Sequence, residues 1–549
     1  MNYFLKKLLP AGLICILISS ILLMCAVPPV SRDALTHHLA IPKLYILHGG
    51  IYELPHIICS YYPELLDLIY CIPMIFHNDI LPKYIHFLFA LAIALLIYRY
   101  VKKRFNIFYG LLSALFFLSL PVIIKLSITI YVDLGLIFFS FAALLSLLKW
   151  RGSNYLNRWL ILSGICCGLA LSTKYNGLLT LFLLTALTPV IYLNKNKKIK
   201  YSQYLACKYG VIFLFIALVI FSPWMIKNYI WTKNPIFPLY KNFFHALTIK
   251  DNEPLTKSTT NNNTINNNIP LNHFQVRKYV YKETGWQTIT IPLRIFFQGE
   301  DDNPKYFDGR LNPLLFFLPL IAFVNFKSKG SSDDFDKKIL LLFSLLYILI
   351  VFFQIDMRIR WIGPAIPPLV ILSSYGLKKL FTKLSSYKIL SFMAILILIS
   401  VFSLNFIYAF NLFRKTDPLP YIFNQTTRAQ YIQKFRPEYA TLEFANNNLG
   451  KKAKILAFFL GNRRYYSNHK IRFNYPIFLQ IVNQADNEDK ILDTLKHNGY
   501  TDLIINYPKF NNWIQLNFKE NKRRLIVNFF QTHTKKIFTK DDHGLYHLN

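Results

Sequence analysis

Two aspartates stand at the edges of apolar runs. Asp33, in Ser-Arg-Asp-Ala-Leu-Thr-His-His-Leu, follows the run from Leu8 to Val30, and Asp133, in Ile-Tyr-Val-Asp-Leu-Gly, opens another. Ionisable groups at the mouths of membrane helices are costly to hold and tend to mark function. A carboxylate beside a hydroxyl can act as a general base. Displacement at the anomeric carbon of a sugar needs such a base opposite the leaving group; if that group is a phosphate, cations alone stabilise the developing charge. Lys174, set in an otherwise apolar hairpin, and Arg358 with Arg360 are cations of the right kind, arginine being the better bidentate partner of phosphate. Each has a plainer reading. Arginines at span ends snorkel to headgroups, and an aspartate at a span start can cap or pack. His37 follows Asp33 by four residues and shares its face if that segment is helical. An interfacial role suits His37 and His38 better than metal ligation.

These residues need a scaffold, and composition says which kind. Of 549 residues, 54% are hydrophobic and 16% charged, against roughly 45–50% apolar and about 25% charged in soluble domains. Several runs approach the roughly 20 apolar residues that cross a bilayer. The expectation is a polytopic α-helical membrane protein with about 11 transmembrane helices, near 8–30, 82–101, 107–124, 131–148, 159–173, 177–193, 209–225, 312–326, 339–355, 361–377 and 388–410. Lys6-Lys7 could open a cleaved signal, but Val27-Pro28-Pro29-Val30 offers no small-x-small site, so an uncleaved anchor is expected. Short basic clusters at Lys6-Lys7, Arg99–Arg104, Lys149–Arg158, Lys195–Lys200, Lys327–Lys338 and Lys378–Lys388 fall on alternate gaps. The positive-inside rule makes that side cytoplasmic, N-terminus in and C-terminus out. Asp33, Asp133, Lys174, Arg358 and Arg360 then emerge together on the outer face. The seven cysteines show no CxxC or Cys/His metal spacing.

Two domains are expected: a transmembrane module over 1–410, with outer loops 31–81 and 226–311, and an extracytoplasmic α/β domain over 411–549. The first loop is rich in Tyr, Pro and Leu, as suits short interfacial helices. The other large loop holds an Asn-rich tract, Thr259 to Asn268, and the acidic stretch Gly299-Glu-Asp-Asp-Asn-Pro-Lys-Tyr-Phe-Asp. That stretch could bind a cation such as calcium or serve as a structural turn. Beyond 411, strand-like runs at Lys454–Phe459 and Asp502–Tyr507 alternate with helical patterns at Pro437–Leu449 and Asp489–His497, the pattern of a small α/β domain. Basic residues exceed acidic ones there, fitting an anionic lipid or polysaccharide surface or plain solvation.

Taken in order, these stretches resemble the membrane-embedded glycosyltransferases of the GT-C superfamily, which use polyprenyl-phosphate sugars and include the aminoarabinose transferase for lipid A and the protein O-mannosyltransferases. Ser31-Arg32-Asp33 looks like the family's catalytic acid after the first span, and Tyr131-Val132-Asp133 like its second-loop acid. The stretches Gly168–Gly177, Ser222–Tyr229 and Arg358–Pro368 also look like family segments, so the likeness covers roughly 1–410. It implies an inverting transfer of a hexosyl or pentosyl group from a polyprenyl-phosphate donor to a hydroxyl or phosphate acceptor on a lipid, glycan or protein. It implies the inner (plasma) membrane, with the active site on the extracytoplasmic side. Asp33 would be the base, Asp133 would orient the acceptor or hold a divalent cation, and Lys174, Arg358 and Arg360 would hold the lipid phosphate. His37, Glu53 and Glu64 enter as acceptor or auxiliary residues, the glutamates also as metal ligands. No cofactor is certain; a divalent cation at Asp133 or at Glu300, Asp301 and Asp302 is the one candidate. Membrane lipids are partners and nucleic acid is not. The first acid stands in Arg-Asp-Ala rather than the paired Asp-Glu of protein mannosyltransferases, which argues against that acceptor class. The alternative from another class is a transporter or lipid flippase of envelope glycan biosynthesis, which would show repeat halves and mid-membrane charges.

Overall fold

The computed structural model describes residues 3–196, 200–248, 273–324, 332–353 and 357–549. The Asn-rich tract, and parts of the basic clusters at 195–200 and 327–338, lie outside them. The chain divides into two compact units, one of Met1–Cys25, Glu53–Ile69 and Lys83–Thr416, the other of Ala26–Tyr52, Tyr70–Pro82 and Asp417–Asn549.

The first unit is helical, and its helices follow the apolar runs. Among the described residues, six are long and apolar enough to cross a bilayer: Lys7–Cys25, Leu81–Arg104, Asp133–Gly152, Gly177–Asn196, Ser202–Thr232 and Lys388–Thr416. The chain is a multi-pass membrane protein. The expected span at 107–124 is a broken one, Ile107–Ser119 and Pro121–Ser127 meeting at 67°. Leu120 leaves the helical region at ψ 131°, and Pro121, at the start of the next helix, has no N–H with which to continue the ladder. The remaining runs form helices at Asn157–Thr173, Leu314–Phe323, Ser332–Phe352 and Ile366–Leu384. Two of these are short, 17 and 10 residues; the other two carry charge at one end, Asp333, Asp334 and Asp336 in one and Lys378, Lys379 and Lys383 in the other. The first helix stops at Cys25 rather than Val30, because Pro28 and Pro29 bias the preceding residues out of helix.

Packing between these helices rests on small contacts and a few polar links, as it must where lipid is as apolar as leucine. Asn312 Nδ2 donates to Asn405 Oδ1 at 2.8 Å, and Asn405 Nδ2 to Ser119 Oγ at 3.0 Å. Ser113 and Ser374 hydroxyls meet at 2.6 Å. At one end of the bundle, Asp336 Oδ2 accepts from Arg104 Nη2 at 2.6 Å, while Arg151 Nη1 lies 3.4 Å from Oδ1. Arg104 also reaches Asp333 at 3.3 Å. Three of the basic clusters read from the sequence therefore contribute to one charge lock, which ties the Leu81–Arg104, Asp133–Gly152 and Ser332–Phe352 helices together.

The second unit carries a five-stranded sheet in the order β2-β1-β3-β5-β4, with β1 Lys454–Phe458, β2 Lys470–Arg472, β3 Asp502–Asn506, β4 Thr534–Lys540 and β5 His543–Leu548. β1 pairs in parallel with β2 and β3, while β5 runs antiparallel to both β3 and β4. Both faces are covered. Leu456, Phe458, Leu503 and Ile505 pack into one core, Ile455, Ala457, Ile504 and Leu545 into the other. That is why β1 and β3 read as continuous apolar runs rather than alternating ones.

Replacing Asp336 by alanine leaves two arginines without their shared carboxylate. It is expected to cost about 3 kcal/mol and to lower the melting temperature of the detergent-solubilised protein. Asp333→Ala, at a more exposed position, is expected to shift it by less than half as much.

Candidate active site

Asp133 is the first residue of the Asp133–Gly152 helix, and its side chain is 2% exposed. Lys174 Nζ donates to its Oδ1 at 2.8 Å. Arg360 adds a second cation to the field at Asp133, its guanidinium lying 5.0 Å from the Tyr131 ring centroid. The helix N-terminus contributes a further favourable dipole. Sequence reasoning missed His86, which completes this corner. Its Nε2 accepts from the Leu134 N–H at 3.0 Å, and its Nδ1 lies 3.0 Å from both the Leu126 and Thr129 carbonyls. Those partners place the proton on Nδ1, so the imidazole caps the helix in its neutral form. A lone histidine inside an apolar span was the only signal.

Lys174 reaches Asp133 because its helix ends there. It is the residue after Asn157–Thr173, with extended backbone at φ −165°, ψ 143°. A Cβ on Gly168 would stand 2.6 Å from the Ala217 carbonyl oxygen, and one on Gly177 would stand 2.6 Å from Leu171 Cα. The helix therefore lies close against Ser202–Thr232, and the turn after Lys174 folds back tightly. The turn is anchored on its far side, where Tyr175 OH donates to the Phe237 carbonyl at 2.9 Å and Asn228 Nδ2 to Tyr175 OH at 3.1 Å. Asn228 Nδ2 also reaches the Tyr61 carbonyl at 2.8 Å, and Lys227 Nζ reaches Glu64 Oε2 at 3.0 Å and the Ser60 carbonyl at 2.8 Å. The Ser222–Tyr229 stretch thus pins residues 53–69. Glu64 is engaged by Lys227, and Glu53 Oε1 accepts from Tyr61 OH at 2.5 Å.

The acidic stretch surrounds a lysine. Lys125 Nζ, on the short helix after the bend, lies 3.6 Å from Asp301, 3.2 Å from Asp302 and 3.7 Å from Asp308. Lys415 approaches Asp302 at 3.6 Å, and Arg358 Nη1 lies 3.7 Å from Asp308 Oδ2. Burial alone would raise the Asp302 carboxyl, but Lys125 and Lys415 hold it below its ordinary value. Glu300 Oε2 accepts from Asn303 Nδ2 at 2.9 Å within its own loop. Among the described residues, no three His, Cys, Asp or Glu side chains are grouped to hold a metal ion.

Asp33 belongs to the second unit. It precedes a π-helical turn, Ala34–His38, so the four-residue spacing to His37 does not give the alignment of an α-helix; wide turns of this kind are frequent at functional sites. The Thr36 hydroxyl lies 3.2 Å from the Asp33 carbonyl oxygen and 2.8 Å from His37 Nδ1. The loop after β1 grips this turn. The Arg464 and Tyr465 N–H groups both donate to the Leu35 carbonyl at 3.1 Å, and Tyr466 OH donates to that of Pro29 at 2.7 Å. Lys43 Nζ donates to the carbonyls of Tyr465 and Ser467 at 2.8 and 2.9 Å. Nearby, Asp79 accepts from Tyr465 OH at 3.0 Å and from Arg428. Burial, with Asp79 alongside, pushes the Tyr465 phenol above its ordinary value of 10.0.

Residues 78–235, which contain Asp133, Lys174 and the Ser222–Tyr229 stretch, match the family model for Dolichyl-phosphate-mannose-protein mannosyltransferase. The whole chain has the fold of ArnT from Cupriavidus metallidurans. Against the apo structure the TM-score is 0.55 at 12% identity, covering 98% of each chain. Against the structure bound to undecaprenyl phosphate it is 0.56 at 13% identity, covering 98% of this chain and 97% of that one. At this level of identity the likeness is one of fold. A further structural likeness is to the archaeal oligosaccharyltransferase AglB from Archaeoglobus fulgidus, in complex with an inhibitory peptide and a dolichol-phosphate, at TM-score 0.50 and 13% identity over 92% of this chain and 70% of that one. No curated protein matches the sequence.

Lys174→Met removes the cation that pairs with the buried Asp133 carboxylate at 2.8 Å. The expected cost is about 3 kcal/mol, read by thermal unfolding, with the Asp133→Asn/Lys174→Met pair less destabilised than Lys174→Met alone. The Tyr465 phenol predicts a pH dependence. Its raised folded-state value stabilises the protein fully below the unfolded value of 10.0, and that contribution is lost as pH climbs further, because the unfolded chain has then released the proton. Denaturation followed between pH 9 and 11 should show that fall, and Tyr465→Phe should shrink it.

Proposed function

We propose that this enzyme moves a sugar, with inversion, from a polyprenyl-phosphate donor to a hydroxyl or phosphate acceptor on the outer face of the membrane. The observation that carries the reading is the buried Asp133–Lys174 pair with Arg360 beside it. Two cations gathered at the end of an apolar helix suit the phosphate of a lipid whose tail stays in the bilayer. The undecaprenyl phosphate in the ArnT structure and the dolichol-phosphate in the AglB structure are ligands of that kind.

In the proposed step, the acceptor hydroxyl attacks the anomeric carbon from the face opposite the phosphate. The new carbon–oxygen bond forms as the bond to the phosphate oxygen breaks, and the electron pair leaves on the phosphate. Asp33 takes the acceptor's proton. Lys174 and Arg360 stabilise the charge gathering on the leaving phosphate, so no proton donor is required. Asp133 holds Lys174 in place. Arg358 orders the acidic loop through Asp308, and its part toward the donor is indirect. With the N-terminus cytoplasmic, the basic clusters stand inside and the charged span mouths outside.

Asp33→Asn is expected to lower transfer from polyprenyl-phosphate sugars about 100-fold or more while leaving the melting temperature within a degree or two of the parent. Proton NMR of the product should show the anomeric configuration opposite to that of the donor. Full activity in Asp33→Asn, or retained configuration, would sink the mechanism.

A further inference from the structure

A cavity of about 500 Å³ opens in the first unit among the turn at Tyr281–Gln287, the Arg294–Gln298 segment and the loop Gly299–Arg310. We propose that it binds an anionic saccharide, a sugar ring bearing a phosphate or carboxylate, and so selects the acceptor. This rests on the transferase reading above and narrows its acceptor class.

The volume falls within the roughly 300–1,000 Å³ typical of small-molecule sites. The chemistry of the walls is unusual for such a site, because none of the eleven lining residues is aliphatic. An acyl chain would gain nothing there. Tyr281 and Tyr306 line it with aromatic rings, and Gln287 and Gln298, whose oxygens accept from Thr284 N–H and Arg294, keep amide N–H groups for hydroxyl oxygens. The internal charges are largely settled among themselves. Glu283 Oε1 is 3.3 Å from Arg277 and 3.0 Å from Arg294. The other Arg294 donors go to Gln298 Oε1 at 2.8 Å and the Gln287 carbonyl at 2.6 Å. What remains around the cavity is Lys282, Lys305 and Arg310 against Glu300, a positive balance that favours an anion.

The site is built on a rigid frame. A Cβ on Gly299 would collide with the Gly309 carbonyl, and the Glu300 and Gly309 N–H groups close the loop at 3.0 and 3.1 Å. Behind it, the Ile359 N–H donates to the Phe307 carbonyl at 2.8 Å and Arg358 pairs with Asp308. One loop therefore separates the cavity from the segment that delivers Arg360 to Asp133. A saccharide held on its open side lies within the same unit as the proposed phosphate site.

The test uses the full-length protein in nanodiscs without donor, so that it does not depend on turnover. Binding of glucose 1-phosphate, glucose and inorganic phosphate is measured by saturation-transfer NMR and titration. The sugar phosphate is expected to bind about ten-fold or more tightly than either half, and Lys305→Gln/Arg310→Gln is expected to weaken it by a similar factor. Lys282→Gln, at an exposed position, gives a smaller loss and serves if the double variant unfolds. Inorganic phosphate binding as tightly as glucose 1-phosphate would overturn the saccharide assignment, and unchanged affinity in folded variants would overturn the site. Because transfer by Asp33→Asn is assayed separately, failure of this proposal and failure of the catalytic reading are distinguishable.

Discussion

A carboxylate and an ammonium 2.8 Å apart at the end of an apolar helix set the terms for much of the first unit. Neither charge can be left alone in a setting of low polarity, so the chain around them is arranged to deliver both. The Asn157–Thr173 helix must end at Lys174, Gly168 and Gly177 must stay small, and His86 must cap the helix that Asp133 begins. The loop holding Glu53 and Glu64 is then fixed by the residues that anchor the far side of the Lys174 turn. Remove the pair and these constraints lose their purpose.

The same economy governs the other charges. Asp336 serves two arginines at one end of the bundle, and Lys125 serves three aspartates in the acidic loop. The acidic stretch was open to two readings, a cation site or a structural turn; Lys125, on the short helix that begins at Pro121, stands among three of its carboxylates. Such a cluster ties two segments of the chain together, and spacing alone does not distinguish a tie from a ligand set.

Much of the architecture was legible in the residues. Apolar runs located the helices because length and hydropathy are local properties, and the paired faces of the sheet made β1 and β3 equally plain. The prominence of Asp133 and Lys174 followed from the rarity of charge in such runs, although their pairing did not. What escaped was non-local. The first outer loop, expected over 31–81 within the membrane module, divides: Glu53–Ile69 groups with the helices, while Ala26–Tyr52 and Tyr70–Pro82 group with Asp417–Asn549. Their contacts use backbone carbonyls, Leu35 and Pro29 above all, and carbonyls carry no side-chain signature. Arg358 and Arg360 are two residues apart in sequence, and a short turn sets Arg358 3.7 Å from Asp308 and Arg360 over the Tyr131 ring, contacts that sequence spacing does not reveal. The bend at Leu120 follows from a single proline, Pro121, inside a long apolar run.

The turn that carries Asp33 is held by residues more than four hundred positions later; Lys43 and Tyr465, for one, are 422 apart in the chain. The ribosome makes this turn several hundred residues before the loop after β1 that grips it. A chain interrupted before that loop carries the turn without its frame. The order in which the parts are made thus sets when this corner of the second unit can form, with no separate chaperoning segment needed to delay it.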